Sequence, residues 1–210
     1  MNFRTFGNIG SPTLLLIPGL GVSYEIFLPL IGLLEKRFHV VAVLVDGFTL
    51  GQNTEFTSID DQARQVSKYI KENLVGPLKY LQCANVWTCY HWTGFWKWVF
   101  HSHYFDVLLD ECKKVYPYGG SKAVLDGYTS VYTTKLESIS GSDIHFWYGT
   151  KEAFVAKPQT RHLKTLYPDI KIEIFKGMNH GQLLIDRPEE VANRITRIQY
   201  GQDIIDTSID

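Results

Sequence analysis

Two short runs near the start of the chain are apolar at nearly every position instead of at alternate ones. Thr13-Leu14-Leu15-Leu16-Ile17 stops at Pro18-Gly19, and His39-Val40-Val41-Ala42-Val43-Leu44-Val45 stops at Asp46-Gly47. A strand solvated on one face alternates, so continuous runs of this kind predict strands buried on both faces, as in parallel sheets. Between them, Phe27 to Phe38 reads as an apolar helical crossover. The period then changes: Ile59, Ala63, Val66, Ile70 and Leu74 recur at three- and four-residue spacing. Thr57 or Ser58 can cap that helix, and Asp60 and Asp61 place negative charge in its first turn, where the helix dipole favours it.

Further strands are predicted at Leu78 to Cys83, Tyr104 to Leu109, Ile144 to Gly149 and Lys171 to Phe175. Helices are predicted at Lys122 to Tyr132, weakened by Gly127, and at Pro158 to Leu166, ended by Pro168. A last helix opens at Asp186, Pro188, Glu189 and Glu190, with Val191, Ile195 and Ile198 as its inner face. Alternating strands and helices predict an α/β fold, a mostly parallel β-sheet with helices on both faces. No repeat, linker or low-complexity tract interrupts the pattern, so residues 1–200 read as a single domain and 201–210 as a polar tail.

Composition narrows the function classes. With 21 basic and 22 acidic residues the net charge is -1, which argues against a basic nucleic-acid surface. No segment reaches the roughly 20 apolar residues needed to span a bilayer, and the first residues lack a signal-peptide core. Cys83, Cys89 and Cys112 have no metal-ligand spacing and cannot all pair, which predicts a reduced, cytoplasmic setting without a metal site.

Two chemistry-bearing residues stand just past predicted strands. Glu152 follows Ile144-His145-Phe146-Trp147-Tyr148-Gly149, and His180 lies in Gly177-Met178-Asn179-His180-Gly181 after Lys171 to Phe175. An acid and then a histidine is the chain order of the last two members of an α/β-hydrolase triad. Other segments fit the same frame. Leu14 to Gly21 resembles the first core strand of such proteins with its oxyanion loop, and Val43-Leu44-Val45-Asp46-Gly47 the second strand and turn. Tyr148 to Glu152 resembles the acid turn, and Gly177 to His180 the histidine loop, followed by the helix start Asp186-Arg187-Pro188-Glu189-Glu190. Over residues 12 to 199 the chain thus resembles the α/β-hydrolase family, of the small, cofactor-free esterase/lipase-like kind.

The resemblance implies hydrolysis of an ester-like or similar small substrate by a nucleophile–His–acid mechanism, with no cofactor. His180 would be the general base, Glu152 would hold its tautomer, and backbone N–H groups at Gly19 and Leu20 would face the oxyanion. His39, His101, His103, His145 and His162 show no partner pattern. Little chain separates Leu109 from Ile144, so the cap domain that relatives insert over the site is expected to be reduced or absent.

The nucleophile breaks the pattern. The family places it in a Gly-x-Ser-x-Gly turn, but residues 79–89 contain neither serine nor glycine. Four of the five tryptophans, Trp87, Trp92, Trp96 and Trp98, follow or lie within this stretch. Side chains so bulky overfill a close-packed interior, so the segment is either exposed or has been replaced, as by a compensated frame change across residues 83–101. Cys83 and Cys89 are thiol candidates in the right interval. Ser121, in Gly119-Gly120-Ser121-Lys122-Ala123, imitates the turn but comes too late in the chain. The alternative is a non-catalytic ligand- or protein-binding molecule on the same scaffold.

Overall fold

Strands β1 (Asn2–Phe6), β2 (Thr13–Ile17), β3 (His39–Leu44) and β4 (Leu78–Gln82) form one sheet in the order β1-β3-β2-β4. The computed structural model describes residues 1–19, 22–49, 51–52, 54–74, 78–82, 103, 107 and 144–201. β2 pairs in parallel with both neighbours, Leu15 opposite Val41 on one side and Tyr80 on the other. β1 runs antiparallel to β3, with Phe3 opposite Val43. All six residues of β3 are buried, as are four of the five in β2. Their lack of alternation follows from helices covering both faces of the sheet.

Those helices sort the side chains of β2 and β3 by parity, since successive residues of a strand point to opposite faces. Leu14, Leu16, Val40, Ala42 and Leu44 pack with Leu30, Ile31 and Leu34 of α1 (Leu28–Leu34). Leu15, Val41 and Val43 face the other way, toward Phe48, Phe56 and the helix α2 (Ile59–Asn73). Each aliphatic side chain so buried contributes about 1.5–3 kcal/mol relative to exposure. The Ser58 hydroxyl caps α2 by accepting the Asp61 N–H at 3.1 Å.

The inner face of α2 departs from its apolar spacing at one turn. Ile59, Val66, Ile70 and Leu74 pack against the core, but Ala63 is exposed and Gln62 is buried in its place. The reason is a polar partner. Gln62 Nε2 donates to Asp46 Oδ2 at 2.9 Å, and Gln62 Oε1 accepts the Asp46 N–H at 3.2 Å. Gln65 Nε2 donates to the same carboxylate oxygen at 3.2 Å. Asp46 is only 4% exposed; these bonds supply donors to Oδ2, and the Met1 ammonium lies 2.9 Å from Oδ1 as its ionic partner.

A second, parallel pair follows later in the chain. β5 (His145–Gly149) and β6 (Lys171–Phe175) run side by side, His145 opposite Lys171 and Gly149 opposite Phe175. Helix α3 (Ala153–Leu166) makes the crossover. It begins five residues before the predicted start at Pro158, which lies inside it. Proline withdraws one N–H and crowds the carbonyl four residues back, here that of the exposed Phe154, so the helix tolerates it on its outer side. The short α4 (Gln182–Asp186) and the last helix α5 (Pro188–Tyr200) complete the described elements. Val191, Ala192 and Ile195 of α5 join Phe175, Met178 and the α1 side of the core. Ile198, expected on that inner face, is 38% exposed.

Val107 is helical and packs against the core, where the apolar run Tyr104 to Leu109 predicts a strand. Short apolar runs fit a buried helix as well as a strand, and periodicity does not separate the two. The rest of that run, the helix predicted at Lys122 to Tyr132, the region of the expected cap and the tail from 202 lie outside the described residues.

Candidate functional site

Because β5 and β6 are parallel and in register, the segments leaving their carboxyl ends emerge side by side. After Gly149 the chain makes a short 3₁₀ turn, Thr150–Glu152; after Phe175 it makes the loop through Gly177 to Gly181. The two are stitched together. The Lys151 N–H donates to the Met178 carbonyl at 3.1 Å, and the Gly177 N–H donates to Thr150 Oγ1 at 2.9 Å. Gly149 lies so close to the loop that a Cβ there would sit 2.0 Å from the Met178 carbonyl oxygen. Only glycine permits this approach.

The stitching brings Glu152 onto His180. One carboxylate oxygen, Oε1, accepts the Gly149 N–H at 2.9 Å, and the other, Oε2, accepts from His180 Nδ1. A carboxylate only accepts, so Nδ1 carries the proton and Nε2 is the ring's other face to the surroundings. The Glu152 side chain is 15% exposed and that of His180 31%. Burial alone raises the carboxyl pKa of Glu152. The hydrogen bonds from His180 and from the Gly149 N–H outweigh it and leave the group below its ordinary value of 4.5. Glu152 is therefore ionised at neutral pH.

His180 is held from its other side as well. Its backbone N–H donates to Asn179 Oδ1 at 3.0 Å, and the Asn179 backbone N–H donates to Gln182 Oε1 at 2.8 Å. Gln182 Nε2 then donates to Asp186 Oδ2 at 2.7 Å. Gly181, with φ of 66°, turns the chain from the histidine into α4 through the left-handed region.

Of the residues singled out from sequence, Glu152 and His180 are thus brought together. Gly19 is buried just beyond the end of β2, and its carbonyl accepts the Val22 N–H at 3.4 Å. The chain continues to a 3₁₀ turn, Tyr24–Phe27, that packs against α4, the helix following His180. Leu20, Gly21, Cys83, Cys89 and Ser121 lie outside the described residues. Among the described residues no three His, Cys, Asp or Glu side chains converge as a metal site, and no helix is long and apolar enough to cross a membrane. A surface groove of about 620 Å³ runs along the outer face of α2, past Arg64, Lys68 and Lys71, and contains neither Glu152 nor His180.

Sequence reasoning missed the roles of Gly149, Thr150 and Gln182. A glycine ending the acid-bearing strand was one available signal. The Asn179-x-x-Gln182 spacing, which resembles a capping box, was another.

No family model and no curated protein matches the sequence. Solved structures do. An alpha/beta hydrolase family protein from Desulfitobacterium hafniense superposes with a TM-score of 0.70 at 16% identity, covering 94% of this chain and 100% of that one. A structure from work on the carboxylesterases of Nitrososphaera gargenis gives 0.67 at 13% identity, over 94% and 93% of the two chains. Carboxylesterase CesB of Bacillus subtilis gives 0.65 at 15% identity, over 95% and 87%. The chain has the α/β-hydrolase fold, with helices on both faces of its main sheet.

Proposed function

We propose that this chain is a hydrolase for an ester-like or similar small substrate, with His180 as general base and Glu152 as the acid that orients it. The observation that carries the reading is the bond from His180 Nδ1 to a partly buried, ionised Glu152 at the ends of two parallel strands. A carboxylate on Nδ1 fixes the tautomer in which Nε2 is free of its proton, and it stabilises the imidazolium formed when Nε2 takes one. The carboxylesterases among the structural neighbours support the same chemical class. The backbone N–H groups of Gly19 and Leu20 are the proposed oxyanion donors; loss of one such donor typically costs about 10²–10³ in rate.

The nucleophile is the weak member. With no serine or glycine in residues 79–89, the thiols of Cys83 and Cys89 are the candidates that fit the order of the fold, ahead of Ser121. Without a nucleophile the pair is left to activate water, and losses of nucleophile in comparable triads reach about 10⁶ in turnover. We therefore propose weak activity at best. That same missing serine favours a second reading, a non-catalytic binding protein whose Trp-rich segment takes a ligand or partner.

Turnover of p-nitrophenyl acetate by the purified chain tests the first reading. Rates above background that vanish in His180→Ala support it, and Cys83→Ser and Cys89→Ser then identify a thiol. A fluorophosphonate probe labels an activated serine, and iodoacetamide an activated cysteine. Background rates together with no labelling by either probe favour the binding protein.

A further inference from the structure

We propose that Gln182 is a positioning residue that holds the His180 imidazole on Glu152, acting through Asn179 from an anchor on Asp186. The proposal rests on the reading of Glu152 and His180 as an acid–base pair.

His180 lies between two glycines, Gly177 and Gly181, in a loop without a regular ladder of backbone bonds. A catalytic side chain has to be held within about 0.5 Å of its working geometry, and side chains must supply what such a backbone does not. Three of them act in series. Asp186 Oδ2 accepts from Gln182 Nε2 at 2.7 Å; Gln182 Oε1 accepts the Asn179 N–H at 2.8 Å; and Asn179 Oδ1 accepts the His180 N–H at 3.0 Å. The direction of the series is set by chemistry. A carboxylate has no proton to give, so the NH₂ end of Gln182 must face Asp186 and its oxygen must face the loop. Both bonds that reach the loop end on the N–H groups of Asn179 and His180, ahead of the first residue of α4. They therefore fix the peptide planes from which the His180 side chain departs. Glu152 is fixed independently, by the Gly149 N–H.

The rival account is a helix cap. Asn179 and Gln182 have capping-box spacing, and a cap contributes stability without touching the imidazole. The two accounts differ in what happens at the His180–Glu152 bond when Gln182 is changed. Gln182→Met keeps the length and stem of the side chain and removes both bonds. The readouts are the Nδ1–H proton of His180 in the NMR spectrum, assigned by its loss in His180→Ala, and the carboxyl titration of Glu152. We expect folded Gln182→Met to lose the slow-exchanging Nδ1–H resonance. The Glu152 titration should shift upward toward 4.5, because His180 supplies part of what holds it down. Asp186→Asn, which retains an oxygen acceptor for Gln182, should keep the resonance, and Asp186→Ala should lose it.

If folded Gln182→Met keeps both the resonance and the wild-type Glu152 titration, Gln182 only caps α4 and the proposal is wrong. Should Gln182→Met not fold, Asn179→Ala breaks the same series one step closer to His180 and decides by the same two readouts. A wild-type protein that lacks the resonance and titrates Glu152 at its ordinary value removes the acid–base pair itself, and the positioning role with it.

Discussion

Gly149 and Met178 meet backbone to backbone where β5 and β6 end, close enough that a Cβ on Gly149 would lie 2.0 Å from the Met178 carbonyl oxygen. That contact holds the acid turn against the histidine loop, so it sets the distance between Glu152 and His180. Gly149→Ala cannot be accommodated without moving the loop. It should destabilise the protein by about 1–3 kcal/mol, the usual cost of overpacking a tight site. It should also weaken the His180 Nδ1–H resonance. Urea unfolding and the NMR spectrum check the two effects, and an alanine variant with wild-type values for both would remove the contact from any role in the site.

Glu152→Gln keeps the size of the side chain and removes its charge. The amide can still accept the Gly149 N–H, but it holds the imidazole without an ionic partner. Loss of a charge-assisted bond at this partly buried site should cost about 1–2 kcal/mol, below the full value of a buried one. Any ester hydrolysis that depends on His180 should fall by roughly 10⁴, the scale of acid-to-amide changes in triads of this kind. Activity equal to that of the unchanged protein would mean that Glu152 is not the orienting acid.

The depressed pKa of Glu152 makes the stability of the pair depend on pH in a definite direction. Its folded value lies below the unfolded one, so its contribution is fully present above 4.5 and is lost as the pH falls through the lowered folded value. The stability difference between the unchanged protein and Glu152→Gln should therefore be level above pH 4.5 and shrink in more acid solution. Urea midpoints of both proteins across that range give the answer. A difference that grows with acidity would contradict the assignment.

Gln62→Leu places a better hydrophobe on the inner face of α2, and hydropathy alone predicts a gain. The structure predicts a loss of about 1–3 kcal/mol, because the buried Asp46 carboxylate forfeits its Gln62 donor and the Asp46 N–H its acceptor. Thermal or urea denaturation decides the sign. An Ala63→Gln change, on the exposed side of the same turn, should be nearly neutral.

Much of the frame was legible in the chain itself. The uninterrupted apolar runs at Thr13–Ile17 and His39–Leu44 mark strands buried on both faces, Ser58 with Asp60 and Asp61 marks a helix start, and a strand-end acid followed by a strand-end histidine marks the candidate pair. These are short-range signals, written in side chains a few residues apart and read from propensity, period and charge. What they lack is partner identity. That Gln62 and not Ala63 is buried depends on Asp46, 16 positions earlier, and that Glu152 touches His180, 28 positions on, depends on β5 and β6 pairing in parallel with Gly149 opposite Phe175. Sequence spacing limits which residues can meet. Strand register and the close approach allowed by one glycine decide which do, because a hydrogen bond forms only within about 3.5 Å and tertiary packing alone delivers distant residues to that range.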